Sequence, residues 1–434
     1  MTRPVPRWNW MRWLLVLVLF CTMTRPALAA EPSPALAKRS AQIVTLINGK
    51  GNPVEIFTPD FLADVPVSQL ASIAKQLTDQ YGPARGVARY DATSANNAGL
   101  MIDFERALVP ATIVIEADAP NRITGLFFSP GEIKGDTFAA VLHDLSVLPG
   151  TTSLTIANLD TAKPVFTIAH RSDTAMAVGS AFKLFILAEL SRQIGAGERK
   201  WSDVARIDRR SIPSGILQTW PENAPITLHS LAALMISQSD NTATDTLLHI
   251  LGREKVEALL PTLGVTAPEK LRPLLGTREA ALLKASDGGA LGKSWVTATE
   301  AGRRAMVDTK LAEVPAEKVD QGRLLAEPNA IDTIEWFAST GDLVRTMDWL
   351  RAHSGKDALD ILKINSGLAP ALAADFAYIG YKGGSETGVM NMTFLIRSKA
   401  GKWYAVSGTW NDNAHAVDEA KFVQLMSRAV TLLR

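Results

Sequence analysis

Two groups of strand-like runs lie far apart in this chain. The first is Thr152–Leu159 with Val165–His170, and the second is Ala377–Tyr381, Met390–Ser398 and Trp403–Gly408, with a long, mostly helical stretch between them. Such runs, rich in β-branched and aromatic residues and bounded by turn residues, read as strands. A hairpin by itself is marginal in water, so the two ends of this region must meet to make one sheet. A helical pattern over Thr137–Leu148 precedes the first group, and another from about Asp418 to Leu433 follows the last. Helix, strands, helical insert, strands, helix is the order of an α+β sandwich whose sheet is assembled from both ends of the domain.

At 434 residues the chain exceeds one ordinary core. Ahead of the sandwich, Leu70, Ile73, Ala74, Leu77 and Tyr81 recur at helical spacing within a predicted helix from about Thr58 to Tyr81, which Gly82-Pro83 stops. Strand-like runs follow from Gly99 to Phe128. Ala111–Glu116 and Arg122–Phe128 flank a turn at Ala117–Asn121 and predict a hairpin. The polar stretch Pro130–Asp136 is the expected boundary, which gives a small α+β domain over 31–134 and a larger one over 135–434.

Residues 1–30 read as a signal peptide for secretion to a periplasmic or extracellular space. Arg3, Arg7 and Arg12 precede the apolar run Trp13–Met23, and the small residues Ala27-Leu-Ala-Ala30 follow it. The run falls short of the roughly 20 residues that span a bilayer, so no stable membrane anchor is expected after cleavage. The single cysteine, Cys21, lies inside it, which leaves the mature chain without a thiol nucleophile, a disulfide or a cysteine-ligated metal. A net charge of +1 provides no field for nucleic acid, and points to a small-molecule or polymer substrate held in a cleft.

Three short motifs carry the chemistry. Ser180-Ala-Phe-Lys183 opens an apolar helical run, and the i, i+3 spacing puts both side chains on one helix face. Serine is a poor nucleophile until a base takes its proton, and a lysine whose pKa is lowered by burial and the helix N-terminus can do so. The same pattern recurs at Ser72-Ile-Ala-Lys75, without partner motifs, where Lys75 reads as a solvated face.

Ser239-Asp240-Asn241 interrupts two helical segments. A hydroxyl there can pass a proton between nucleophile, base and leaving nitrogen, and Asn241 can position lysine and substrate. A helix N-cap explains the same three residues equally well in isolation. Lys382-Gly383-Gly384-Ser385 follows a strand, so Lys382 suits a substrate carboxylate and the glycines let substrate lie alongside. Ser180 and Ser385 can offer backbone N–H groups to an oxyanion. The plain alternative is a Gly-rich strand-end turn with a surface lysine.

In this order, with Ala175–Phe185 and Leu234–Ala243 around them, the motifs resemble the serine β-lactamase and penicillin-binding protein superfamily, nearest to class A, over roughly Gly135 to Arg434. The resemblance implies a class A β-lactamase-like sandwich with a helical subdomain, and an acyl-enzyme formed on Ser180. It implies Lys183 as acylation base, Ser239 as proton shuttle, and Asn241, Lys382, Gly383, Gly384 and Ser385 around the substrate. Hydrolysis of β-lactams, slow or fast, is the implied activity. A D,D-peptidase or esterase acting on cell-wall peptide or ester, and a catalytically weak penicillin-binding sensor, are the alternatives. The front domain, one long helix then antiparallel strands, resembles a cystatin-like (ketosteroid-isomerase-like) module with a binding or structural role. That pairing is similar to β-lactamase-like proteins of clavulanic-acid gene clusters.

Two departures stand out. Class A enzymes carry Glu-x-x-Leu-Asn downstream of Ser-Asp-Asn, where the glutamate activates the deacylating water. This chain lacks the pattern, and Glu269 and Glu279 lie in that stretch, with Glu279 the candidate base. Gly383 stands where Thr or Ser is usual, so Ser385 or Thr387 is expected to supply the missing hydroxyl. The long gap before Lys382 implies an extra helical segment that includes Ile331–Leu350. The six histidines are scattered, and Asp245 with His249 reads as a surface contact on a helix. Neither a metal nor an organic cofactor is implied.

Overall fold

The computed structural model describes residues 32–434, so the expected signal peptide lies outside the described residues. Contacts divide the chain after Gly131 into two units.

In the first unit, helices α1 (Pro34–Ile47) and α2 (Val67–Tyr81) accompany strands β1 (Ala84–Ala92), β2 (Asn97–Phe104), β3 (Ala107–Ile115) and β4 (Ile123–Phe128). The strands pair antiparallel in sequence order, and β3–β4 is the expected hairpin. The single helix expected from Thr58 to Tyr81 is instead two, Pro59–Asp64 and Val67–Tyr81. Pro66 divides them, because a residue before proline is driven out of the helical region. The helix α1 is an addition to the expected single long helix. Its proline sits at the first helical position, where no N–H is needed, and Leu36, Ile43 and Ile47 are buried. Lys75 pairs with Asp79 at 2.6 Å on an exposed face, as a solvated lysine should.

The second unit is an α+β sandwich. Helix α3 (Phe138–Ser146) leads into strands β5 (Thr151–Asn158) and β6 (Val165–His170). After the helical middle come β7 (Phe376–Glu386), β8 (Val389–Ser398), β9 (Trp403–Asn411) and helix α4 (Glu419–Thr431). The sheet order is β7-β8-β9-β5-β6, antiparallel throughout, so β9 meets β5 and the two ends of the domain do close one sheet. Val141 and Leu145 of α3 and Phe422, Leu425 and Met426 of α4 pack on one face with Ile156, Phe394 and Val406. A larger core on the other side gathers Phe182, Leu184, Leu247, Leu343, Leu350, Leu395 and Ala405.

Ile331–Leu350 is not one helix. Residues Phe337–Ala338 form a short strand, the helix there runs Thr340–His353, and the additional helical segments lie earlier, between Thr277 and Ala326. Asp245 also departs from the expected surface contact. It is buried and accepts hydrogen bonds from Ser211 Oγ (2.5 Å), Thr277 N (2.6 Å) and Arg278 N (2.9 Å). A carboxylate at those first amides anchors helix Thr277–Ala285 by charge and by hydrogen bonding.

Candidate active site

Ser180 lies on a buried 3-10 turn, Gly179–Phe182, that runs directly into a helix beginning at Lys183 (Lys183–Gly195). The segment before it is clamped, because Asn411 exchanges two 3.0 Å hydrogen bonds with the Ala177 backbone. Phe182 stacks on Trp336 with ring centroids 4.1 Å apart, and Trp336 in turn donates its indole N–H to the Leu275 carbonyl. The turn is thus held by a strand, an aromatic stack and an apolar helix.

Lys183 is fully buried. Its Nζ lies 2.7 Å from the Ser239 carbonyl, 3.0 Å from Ser239 Oγ and 2.8 Å from Asn241 Oδ1. Burial first, and the Lys382 charge second, hold its pKa well below the ordinary lysine value, with Asp245 and Asp240 opposing more weakly. A neutral amine donates two hydrogen bonds and keeps a lone pair. Nζ donates to all three oxygens, and with one proton lost Ser239 O and Asn241 Oδ1 would take the two remaining donors while the Ser239 hydroxyl would donate to the amine.

The three residues of the middle motif divide their work. Asp240 is the helix cap. Its buried carboxylate accepts from Ala243 N (2.8 Å) and also from Ile216 N (2.7 Å) and Leu217 N (2.9 Å) in a neighbouring loop. Ser239 has φ +56°, a left-handed backbone rare outside glycine, and Asn241 starts the helix. Both turn toward Lys183, so the cap explanation holds for Asp240 alone.

Lys382 reaches the same hydroxyl from the opposite wall. Its Nζ donates to Ser239 Oγ at 3.1 Å and to the Gly383 carbonyl, and burial brings its pKa down to about 7. The third motif is not a strand-end turn, since β7 continues through it to Glu386. Gly384 lets the strand press on the serine turn. A Cβ there would lie 2.2 Å from Val178 O, 2.5 Å from Ser180 N and 2.7 Å from Ala181 N. Ser385 N in turn lies 3.2 Å from where a Cβ on Gly179 would be, so the backbone amides of Ser180 and Ser385 are neighbours. These residues line a cleft of about 400 Å³, within the range of small-molecule sites.

Residues 137–432 match the model of the beta-lactamase enzyme family. The chain belongs to that family. As a β-lactamase-like serine hydrolase it is similar in fold to several solved structures at low identity. One is a point mutant of PBP-A in an acyl-enzyme complex with penicillin G (17% identity, 68% of this chain and 94% of that one, TM-score 0.46). Others are β-lactamases from Sphaerobacter thermophilus (20% identity, 68% and 96%, TM-score 0.46) and Chitinophaga pinensis (16% identity, 68% and 96%, TM-score 0.44). No curated protein matches the sequence.

The structure does not bring every expected residue of this β-lactamase-like enzyme to the cleft. Glu279 pairs with Arg253 (2.6 and 2.9 Å) and caps its own helix by accepting from Gly276 N at 2.6 Å. It is not among the cleft-lining residues, so the placement gives no support to Glu279 as deacylation base. Thr387 is also off the cleft lining and donates to the carbonyl of Leu325, whereas Ser385 lines the cleft.

The carboxyl groups that do line the cleft are Glu335 and Glu386. Both bind the buried Lys284 ammonium, at 2.6 and 2.5 Å. Burial first, then Glu335, pushes Glu386 up to about 8, while Lys284 keeps its proton because the two carboxylates outweigh its burial. Strand alternation puts Glu386 on the same face as Lys382 and Gly384, a signal available once β7 is extended through the glycines. Nothing in sequence marks Lys284 or Glu335, which lie in the helical insert.

Proposed function

We propose that this chain is an exported serine hydrolase that opens β-lactams through an acyl-enzyme on Ser180 and releases the product slowly. One observation carries the reading. Lys183 and Lys382 converge on the single hydroxyl of Ser239 in the cleft that Ser180 lines.

In the first step Ser180 Oγ gives its proton to neutral Lys183 Nζ and bonds to the lactam carbonyl carbon. The oxyanion rests against the Ser180 and Ser385 amides. The carbon–nitrogen bond then breaks, Ser239 hands its hydroxyl proton to the departing nitrogen, and the Lys183 ammonium restores it. Lys382 holds the substrate carboxylate, and Asn241 holds Lys183 in place.

Slow release follows from the carboxyl inventory. In class A enzymes a glutamate free to take a proton activates the deacylating water, and among the described residues the only carboxyl groups lining this cleft are Glu335 and Glu386. Glu335 and Glu386 are both committed to Lys284, and burial first, then Glu335, makes Glu386 harder to ionise. That same observation favours a second reading, a penicillin-binding sensor in which the acyl group persists. Export rests on the arginine-led apolar leader and its small-residue cleavage site.

Intact-mass spectrometry alongside turnover of a chromogenic cephalosporin tests both readings. A Ser180-dependent adduct that clears over minutes supports the slow hydrolase, and one that never clears supports the sensor. No adduct and no turnover with any β-lactam or active ester, in protein of native melting behaviour, sinks the acyl-enzyme assignment.

A further inference from the structure

Gly383 leaves the cleft without the side-chain hydroxyl usual beside the motif lysine, and another residue occupies the vacated space. A Cβ built on Gly383 would lie 2.1 Å from the phenolic oxygen of Tyr381 and 2.8 Å from its ring carbon Cζ. The hydroxyl of Tyr381 therefore stands where a side chain at 383 would begin.

The strand explains how it gets there. Residues 381 and 383 share a face by the two-residue alternation, and β7 is the edge strand of its sheet. With no side chain at 383, the phenol can extend along the strand to the rim of the cleft, which Tyr381, Lys382 and Gly383 line together. A second glycine makes room on the other side. Gly367, at φ +62°, would place a Cβ 2.6 Å from the same ring, while Phe394 tilts against it at 5.0 Å. Two glycines are thus shaped around one tyrosine tip.

We propose that Tyr381 is a substrate-positioning residue whose hydroxyl donates a hydrogen bond to the carboxylate held by Lys382, in place of the missing hydroxyl at 383. The assignment rests on the acyl-enzyme reading above. Among the described residues the Tyr381 hydroxyl has no hydrogen-bond partner, so the donor is free for a ligand. Burial first, and Glu419 second, raise the phenol to about 12, so it keeps its proton across the working range and acts as a donor rather than a base.

The test compares a chromogenic cephalosporin as free acid with its methyl ester, in wild type and Tyr381→Phe. Phe keeps the ring and its packing and removes only the hydroxyl. A hydrogen bond to a charged acceptor is worth about ten- to a hundredfold, so acylation kcat/KM for the acid falls by that factor while the ester changes by less than about twofold. The double variant Tyr381→Ala/Gly383→Thr clears the ring, returns a hydroxyl to the same space and restores the preference for the acid over the ester. Gly383→Thr alone, with the phenol still in place, does not. Equal losses on acid and ester, or no loss, in a wild type that acylates normally, overturn this role for Tyr381 and leave the acyl-enzyme reading standing. A wild type acylated by neither form overturns both.

Discussion

Gly384→Ala tests whether the contact between β7 and the serine turn creates the oxyanion site. The added Cβ would meet Val178 O at 2.2 Å, Ser180 N at 2.5 Å and Ala181 N at 2.7 Å, all backbone atoms that no side-chain rotation can move aside. Ordinary contact begins near 3.4 Å, so strand and turn must separate by about 1 Å. Overpacking of this kind costs ~1–3 kcal/mol, a modest loss for a domain with two cores, and the fold should survive. The chemistry should not. The separation moves the Ser180 and Ser385 amides apart, and loss of one oxyanion donor lowers rates by ~100- to 1000-fold. The expected outcome is acylation slower by about that factor, with a melting temperature down by only a few degrees. Stopped-flow acylation by a chromogenic cephalosporin and thermal unfolding measure the two effects separately. Gly195→Ala is the control, since its Cβ meets nothing within 4 Å. Acylation by Gly384→Ala within about threefold of wild type would refute the idea that this close approach builds the site.

Lys382 should impose a pH limit. As pH rises through about 7 its ammonium is lost, so kcat/KM for a carboxylate substrate should fall while that for its methyl ester does not. The linked stability runs the other way. Between about 7 and 10.5 the unfolded chain binds more protons at this lysine than the folded one, so stability should rise with pH there, and Lys382→Met should flatten that rise in melting curves. For Glu386, whose folded value is about 8 against 4.5 unfolded, the folded state binds the extra proton. Stability should therefore fall as pH rises across that window, and Glu386→Gln should remove the decline. Glu279→Gln should leave acylation and its clearance unchanged while lowering stability by ~1–3 kcal/mol, because Arg253 loses its carboxylate partner; a trapped acyl-enzyme would restore Glu279 as the base. Lys183→Ala should abolish adduct formation in the mass assay, and an undiminished rate would move the base elsewhere.

The parts of this protein legible in sequence are those where local pattern and local chemistry agree. The strands of the larger unit, the β3–β4 hairpin and the closing helix follow from alternation and turn residues alone. The errors arose where one residue changes the local rule. Pro66 splits a helix that periodicity draws as continuous, and Pro34 starts a further helix ahead of it. In the Ser239-Asp240-Asn241 motif, sequence could not separate cap from chemistry, because both use the same residue types. The structure divides them, with Asp240 on helix and loop amides and its neighbours on the lysine.

The hardest feature to read was the one most specific to this chain. Gly383 registers in sequence only as a missing hydroxyl, and the nearest hydroxyls downstream belong to Ser385 and Thr387. The strand's two-residue period looks backward as well, to Tyr381, but only the geometry shows that its phenol reaches the gap and that Gly367 makes room for it. Lys284, Glu335 and Glu386 pose the same problem on a larger scale, since their residues are far apart in the chain and meet only across the helical insert. A catalytic motif can name its own residues. What lies opposite them depends on packing, so the motif residues were readable from sequence, whereas the Lys284, Glu335 and Glu386 cluster had to come from the fold.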